Sequence, residues 1–257
     1  GSVAKYVATS TLEAGLDVKS MSETSTKVFI LEVMGRHAGW IAAASALAAR
    51  NETDPPHIIL MPEVPFAKKK FINKVKQTVA NEGFCVVVAS EGTRYKNGMF
   101  LADSGLTDAF GHKQLGGVAP VLAQMISSIG LKNHWAVSDY LQRSARHISS
   151  KTDLDQAYAV GKKAVEFALA GKNAVMPVIK RLSDKPYKWK IESASLSKVA
   201  NVEKTLPKGY ISKDGFRITD KGLNYLRPLI QGESSISYKD GIPIVAELKN
   251  TLVKKIT

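Results

Sequence analysis

Val28-Phe29-Ile30-Leu31-Glu32-Val33-Met34-Gly35-Arg36-His37-Ala38-Gly39-Trp40 decides how this chain is read. The first six residues, apolar except for Glu32, make a run that is short for a helix and reads as a strand buried on both faces. Two glycines and an arginine then turn the chain into an alanine-rich stretch whose composition predicts a helix over 40–50. Outward from this unit the same alternation recurs. Asp54-Pro55-Pro56 breaks the helix, 57–61 reads as a strand, and 68–81 as an amphipathic helix closed by Gly83. Strands are then expected at 84–89, 135–137 and 174–179, with helices at 118–129 and at 152–170, the latter ending at Gly171. Towards the N-terminus, Ser2 caps a helix expected to run to Ala14 and stop at Gly15. Residues 91–115 lack periodicity and read as a long loop, a length that in compact domains usually serves function. Past Arg181 the rhythm degrades into a strand-like 187–191, a helix at 196–202 and a Pro-, Gly- and Lys-punctuated tail expected to wrap the rest. The fold class is therefore α/β, a parallel sheet of βα units with an irregular C-terminal extension.

Length and composition bound the function. At 257 residues, against roughly 150 per domain, the chain is one large domain or two small ones. A 44% apolar content argues against disorder. Cys85 is the single cysteine, so neither an intramolecular disulfide nor a thiolate zinc cluster can form, which points to a reducing, cytoplasmic location. No run reaches the roughly 18 apolar residues of a membrane span, so no membrane partner is expected. His37, His57, His112, His134 and His147 fall in different units without metal-ligand spacing. Ser90-Glu91-Gly92 lacks the flanking glycine of a nucleophile elbow. The chain carries 36 Lys+Arg against 23 Asp+Glu, a net +13. The basic run Lys68-Lys69-Lys70 with Lys74 and Lys76 has no interleaved aromatics, reads as a solvated helix face, and predicts no nucleic-acid partner.

In open parallel sheets ligands sit beyond the carboxyl ends of the strands, where helix N-termini present unpaired N–H groups. The unusual polar residues follow strands in this way. Met34, Gly35 and Arg36 come after the first, Glu63 after the second, Glu91 after the third, and Asp139, Tyr140 and Arg143 after the fourth. Gly35 would let a backbone N–H approach an anion and Arg36 offers a bidentate fork for phosphate; equally, the glycines permit a tight turn and Arg36 is a surface cation. Glu91 suits sugar hydroxyls or caps the following loop. Tyr140 and Arg143 grip a phosphate or form an ordinary first helical turn.

The Glu32-Val33-Met34-Gly35-Arg36 core, Met61-Pro62-Glu63, Ser90-Glu91-Gly92 and Tyr140-Leu141-Gln142-Arg143 resemble, in order, the motifs of 6-phosphofructokinases. The ATP-dependent branch usually has histidine where Tyr140 stands and two glycines where Ser144-Ala145 stand, so the resemblance is to the pyrophosphate-dependent branch. It implies that Met34, Gly35 and Arg36 hold fructose 6-phosphate, that Glu91 binds its hydroxyls, and that Tyr140 with Arg143 clamps its 6-phosphate. In the family a neighbouring subunit adds cations, at positions matching Lys27 and His134 here, which implies a homo-oligomer. The family's donor-phosphate loop, magnesium-binding aspartate and general base have no counterpart in these 257 residues. The resemblance thus implies 1–150 as the fructose 6-phosphate-binding part, and 151–257 as helix and strand completing the donor domain plus a C-terminal extension. Pyrophosphate and Mg2+ would be held by a part absent from this chain, leaving it inactive alone and incomplete at the N-terminus. The other reading is a non-catalytic anion-binding module for sugar phosphate or nucleic acid.

Overall fold

The computed structural model of the chain describes residues 1–107, 113–115, 117–253 and 255, with side chains left aside at 104–107 and 113–115. Helix α1 (Ser2–Met21) leads into β1 (Val28–Val33) and the short helix α2 (Trp40–Ala44); β2 (Ile58–Leu60), α3 (Lys68–Glu82) and β3 (Cys85–Ser90) follow. An antiparallel pair, β4 (Asp103–Thr107) and β5 (Lys113–Leu115), precedes α4 (Val118–Ser127), β6 (Asn133–Val137) and α5 (Leu141–Ser144). The chain continues through α6 (Lys151–Leu169), β7 (Val175–Asp184), β8 (Tyr187–Ser195), α7 (Leu196–Val199), α8 (Asp220–Leu226) and a last small ribbon, β9 (Tyr238–Lys239) with β10 (Ile242–Pro243).

The expected parallel sheet is present, in the order β2-β3-β1-β6. Alternate side chains of β1 enter two different layers, as strand geometry requires. Val28 and Ile30 pack with Ile58, Leu60 and Val87 against Phe71 and Val75 of α3 and Leu122 and Ile126 of α4. Leu31 and Val33 pack on the other face with Val7 of α1, Ala42 and Ala43 of α2, and Leu206, Ile218 and Leu226 from the C-terminal segment. That segment also supplies backbone pairing, since Ile59 N donates to Phe216 O along the β2 edge at 2.9 Å. The expected wrapping tail is thus real as far as Ser234, where Lys151 N donates to Gly232 O at 3.1 Å and Arg146 Nη1 to Ser234 O at 3.1 Å, but Val245, Leu248 and Leu252 beyond it stand largely exposed.

Several expectations are corrected. Gly15 does not stop α1, which runs on to Met21. A Cβ there would lie 2.5 Å from Pro55 Cγ, so the glycine admits the Pro55-Pro56 loop against the helix, and packing outweighs a helix cost of about 1 kcal/mol. The helix expected over 40–50 is α2 plus a 3-10 turn, Ser45–Ala48. Within 91–115 lie β4 and β5, and a bridge pairs Arg94 with Phe100; residues 108–112, His112 among them, lie outside the described residues. The run at 174–179 is not a buried strand of the parallel sheet. It belongs to β7, which pairs antiparallel with β8 from Val175↔Ser195 to Asp184↔Tyr187. Only Lys185-Pro186 separates the two strands, whereas a parallel partner needs a crossover of a dozen residues or more.

Two of the five lysines of the basic run prove structural. Lys70 Nζ donates to Asp214 O at 2.7 Å and lies 5.2 Å from the centre of the Phe216 ring, while Lys74 is 3.8 Å from the Asp214 carboxylate. These lysines dock the C-terminal segment on α3.

His57, at the start of β2, extends the sheet with its side chain. His57 N donates to Val86 O, and Val86 N donates to His57 Nδ1, both at 2.9 Å. Nε2 then carries the proton and faces Thr53 O at 3.2 Å. Burial holds this imidazole neutral, its pKa lowered from 6.5 to about 4. Its contribution to stability is complete above the ordinary value and drains away as pH falls from about 6.5 towards 4, because the unfolded chain then binds the extra proton. We expect His57→Ala to cost about 1–3 kcal/mol at pH 7 through the orphaned Val86 N–H, and to flatten that acid limb. Urea titrations at pH 7, 5.5 and 4.5 check both, and a variant with the wild-type acid limb would contradict the assignment.

Candidate functional site

Because all four strands of the main sheet run parallel, their carboxyl ends share one rim. The register places Val33 beside Ser90 and Glu32 beside Val137, so the residues after β1, β3 and β6 leave the sheet side by side. Met34-Gly35-Arg36 stands between the other two, with four of its backbone groups held by neighbouring side chains. Met34 N donates to Gln142 Oε1 at 3.3 Å, and Gly35 N to Glu91 Oε1 at 3.1 Å. Ser90 Oγ donates to Gly35 O, and Arg94 Nη2 to Arg36 O at 2.9 Å. Gly35 has φ +138°, which a side chain rarely adopts, and a Cβ on Gly92 would lie 2.0 Å from Arg36 O. Both glycines are therefore required by close backbone approach.

The guanidinium of Arg36 keeps its Nε buried with no partner among the described residues. A buried charged donor left unpaired is costly, and an anion at this rim would satisfy it. Glu91 Oε1 holds the loop, and among the described residues Oε2 makes no hydrogen bond. Across the rim, Tyr140 is exposed at the start of α5, and the Arg143 guanidinium stacks on its ring at 4.2 Å. Glu63 has another task. Its carboxylate accepts from Gly39 N at 3.0 and 3.1 Å, capping α2, and from Leu206 N at 2.7 Å, which pins the C-terminal segment.

Lys27 and His134 are not brought to this rim. Lys27 precedes β1 and donates to Ser22 O, and His134 pairs with Phe29 near the start of β6, so both lie at the amino ends of the strands. Ser90, Arg94 and Gln142 were not singled out as site residues. No motif marks a side chain whose task is a backbone carbonyl or amide on a neighbouring strand; Gln142 showed one weak signal, an amide between two candidate residues.

Glu32 occupies the centre of the sheet and faces α4. Its Oε2 accepts from Ala119 N at 2.7 Å, satisfying an open N–H at the start of that helix. Burial raises its pKa above the ordinary 4.5, an effect that Ala119 opposes and the nearby Glu91 and Asp139 charges reinforce. Among the described residues no group of three or more His, Cys, Asp or Glu is placed to hold a metal ion.

The profile described as Phosphofructokinase matches residues 7–168, well over half of the chain. The chain belongs to the phosphofructokinase family. It is 61% identical over 256 residues to a pyrophosphate--fructose 6-phosphate 1-phosphotransferase of Halomonas elongata, covering 99% of this chain and 61% of the relative. A protein of the same description from Xanthomonas campestris is 57% identical, with 99% and 62% covered. Among solved structures, a pyrophosphate-dependent phosphofructokinase from Marinobacter aquaeolei superposes with a TM-score of 0.89 at 58% identity, covering all of this chain and 61% of that one. The phosphofructokinase of Saccharomyces cerevisiae, at 18% identity and a TM-score of 0.55, shares the fold. The chain therefore spans about three fifths of the length of these bacterial relatives.

For Glu32 the sign of the pH effect follows from its raised value. The group contributes most below the ordinary carboxylate value of 4.5, and the contribution is lost as pH climbs through the raised one, because the native state then carries an ionised carboxylate in a buried place. Glu32→Gln keeps the acceptor for Ala119 N. We expect its stability relative to wild type to improve between pH 4.5 and 7 in denaturant titrations; a difference that stays constant across that range would refute the burial cause.

Proposed function

We propose that this chain is the acceptor-binding portion of a pyrophosphate-dependent 6-phosphofructokinase, the enzyme that transfers a phosphoryl group from pyrophosphate to the 1-hydroxyl of fructose 6-phosphate. The observation that carries this reading is the Met34–Arg36 loop, fixed on the strand rim with an unpartnered guanidinium nitrogen, in a chain of this family. Arg36 and the Tyr140–Arg143 pair take the 6-phosphate from its two sides, and the free oxygen of Glu91 takes a sugar hydroxyl. The chemical contribution of these residues is orientation: they fix the sugar so that its 1-hydroxyl faces the donor.

Pyrophosphate as donor is supported by the names of the bacterial relatives and by Tyr140 and Ser144-Ala145. Magnesium, which would neutralise the transferring phosphates, has no fitting ligand set among the described residues and belongs in this reading to the length by which the relatives exceed this chain. The division into a fructose 6-phosphate-binding part, 1–150, and a remainder, 151–257, that completes the donor domain is supported by α6, whose Tyr158, Val165 and Leu169 are 77%, 60% and 85% exposed along one stripe and await a covering layer. Lys27 and His134, at the far rim from Arg36, fit contribution to the site of a neighbouring copy in a homo-oligomer. Among the described residues no helix is long and apolar enough to cross a membrane. The reaction proposed here is a glycolytic one, and the free, buried Cys85 supports a reducing cytoplasm as its setting.

The test is calorimetric titration with fructose 6-phosphate, fructose and inorganic phosphate. Arg36→Ala is expected to weaken fructose 6-phosphate by about 1.5–3 kcal/mol, the range for a hydrogen bond to a charged group. Unchanged affinity would remove Arg36 from the site. Glu91→Gln retains an acceptor for Gly35 N while removing the charge, and should weaken sugar phosphate more than inorganic phosphate. Equal losses for both ligands would contradict the hydroxyl role.

A further inference from the structure

Gln142 is 2% exposed, one of the largest fully buried polar side chains, and it is held at both ends of its amide. Oε1 accepts from Met34 N at 3.3 Å, on the loop after β1. Nε2 donates to Asp139 O at 2.8 Å, on the turn after β6. Asp139 has φ +37°, a conformation that residues other than Gly, Asn and Asp seldom take, and its carbonyl is the one Gln142 holds. The next residue is Tyr140. One amide thus bridges the two segments that carry Arg36 on one side and Tyr140 and Arg143 on the other.

No other described side chain connects both. Glu91 and Arg94 hold the first segment from β3 and its following loop, and Ser144 Oγ closes α5 on Tyr140 O at 3.0 Å. The sequence offers a plainer role, since Gln142 lies in a short amphipathic turn whose buried member would fill space whatever its chemistry. A space-filling role predicts that an apolar residue of equal size serves as well. A bridging role predicts that it does not, because Met34 N–H and Asp139 C=O, both in part-buried bonds, would lose the side chain that ties their two segments together.

We infer that Gln142 is a positioning residue that fixes the spacing and orientation of the two phosphate-gripping arms, the Met34–Arg36 loop and the Tyr140–Arg143 turn. The inference rests on the acceptor-site reading for its ligand, and on geometry alone for the coupling. It makes Gln142 a determinant of specificity: an anion gripped by one arm tolerates a shift between the arms, whereas a sugar phosphate that spans from Glu91 to the clamp does not.

Two variants separate the halves of the bridge. Gln142→Met keeps the volume and removes both bonds. Gln142→Glu keeps an acceptor for Met34 N and replaces the donor to Asp139 O by a repelling carboxylate. The first readout is amide exchange on the chain as it stands, using Met34 N for the first arm, Arg143 N and Ala145 N, bonded to Tyr140 O and Leu141 O, for the second, and Ile59 N and Val86 N as controls. Gln142→Met is expected to speed exchange at both arms tenfold or more relative to the controls, and Gln142→Glu at the second arm only. Unchanged exchange at both arms in Gln142→Met, or a uniform rise that includes the controls in both variants, overturns the bridge. The second readout is calorimetry with fructose 6-phosphate and with inorganic phosphate. At least a tenfold loss for the sugar phosphate, with less than twofold for inorganic phosphate, supports the specificity role; equal losses overturn it. If wild type binds fructose 6-phosphate in no saturable way, the acceptor-site reading and the specificity role fall together, and the exchange data alone still decide the coupling.

Discussion

The parallel register of β1 between β3 and β6 is the constraint on which this structure depends. Once Val33 lies beside Ser90 and Glu32 beside Val137, the chain leaves three neighbouring strands at one level. Side chains that follow those strands then meet without any loop of their own having to fold around a ligand. The cores on both faces enforce the register: a slip of one residue would drive Leu31 and Val33 into the α3 and α4 layer and Ile30 into the layer of α1 and α2.

That constraint has a cost at Glu32, a carboxylate on a central strand in an otherwise apolar layer. Its position is tolerable because α4 starts directly opposite and offers an unpaired N–H, so burying the carboxylate and leaving a helix end open are solved by one contact. His57 solves a similar problem at the start of β2, where an imidazole takes the part of the next strand residue and satisfies Val86 N. Arg94 and Ser90 follow the same logic at the rim, where side chains satisfy carbonyls that no strand reaches. Polar side chains directed at backbone groups thus complete the sheet at these strand ends.

The fold class was legible because periodicity and punctuation pointed the same way over residues 28–90 and again from 118 to 137, on either side of the aperiodic 91–115. Gly83, with φ +82°, ends α3 where its lack of a Cβ says it should. Gly15 misled for the same reason: a glycine has no side chain to report whether it ends a helix or admits a neighbour, and here it admits Pro55. The run at 174–179 misled because an uninterrupted apolar strand carries no mark of the direction of its partner, and the two-residue connection to β8 settled that instead.

Residue types and their order alone determined the strand–turn–helix alternation, the family resemblance, and the choice of Met34, Gly35, Arg36, Glu91, Tyr140 and Arg143 as the residues that follow the strand ends together. These follow from local chemistry, since each is written within a few positions of a strand end. Tertiary structure alone decided that Glu63 caps a helix and pins a distant segment, that Lys70 and Lys74 dock the C-terminal extension, and that Lys27 and His134 face the opposite rim. It also decided that Gln142 bridges two arms more than a hundred positions apart in sequence. Such roles depend on which backbone group happens to stand opposite a side chain. That is set by the register of strands remote in sequence, and no local pattern encodes it.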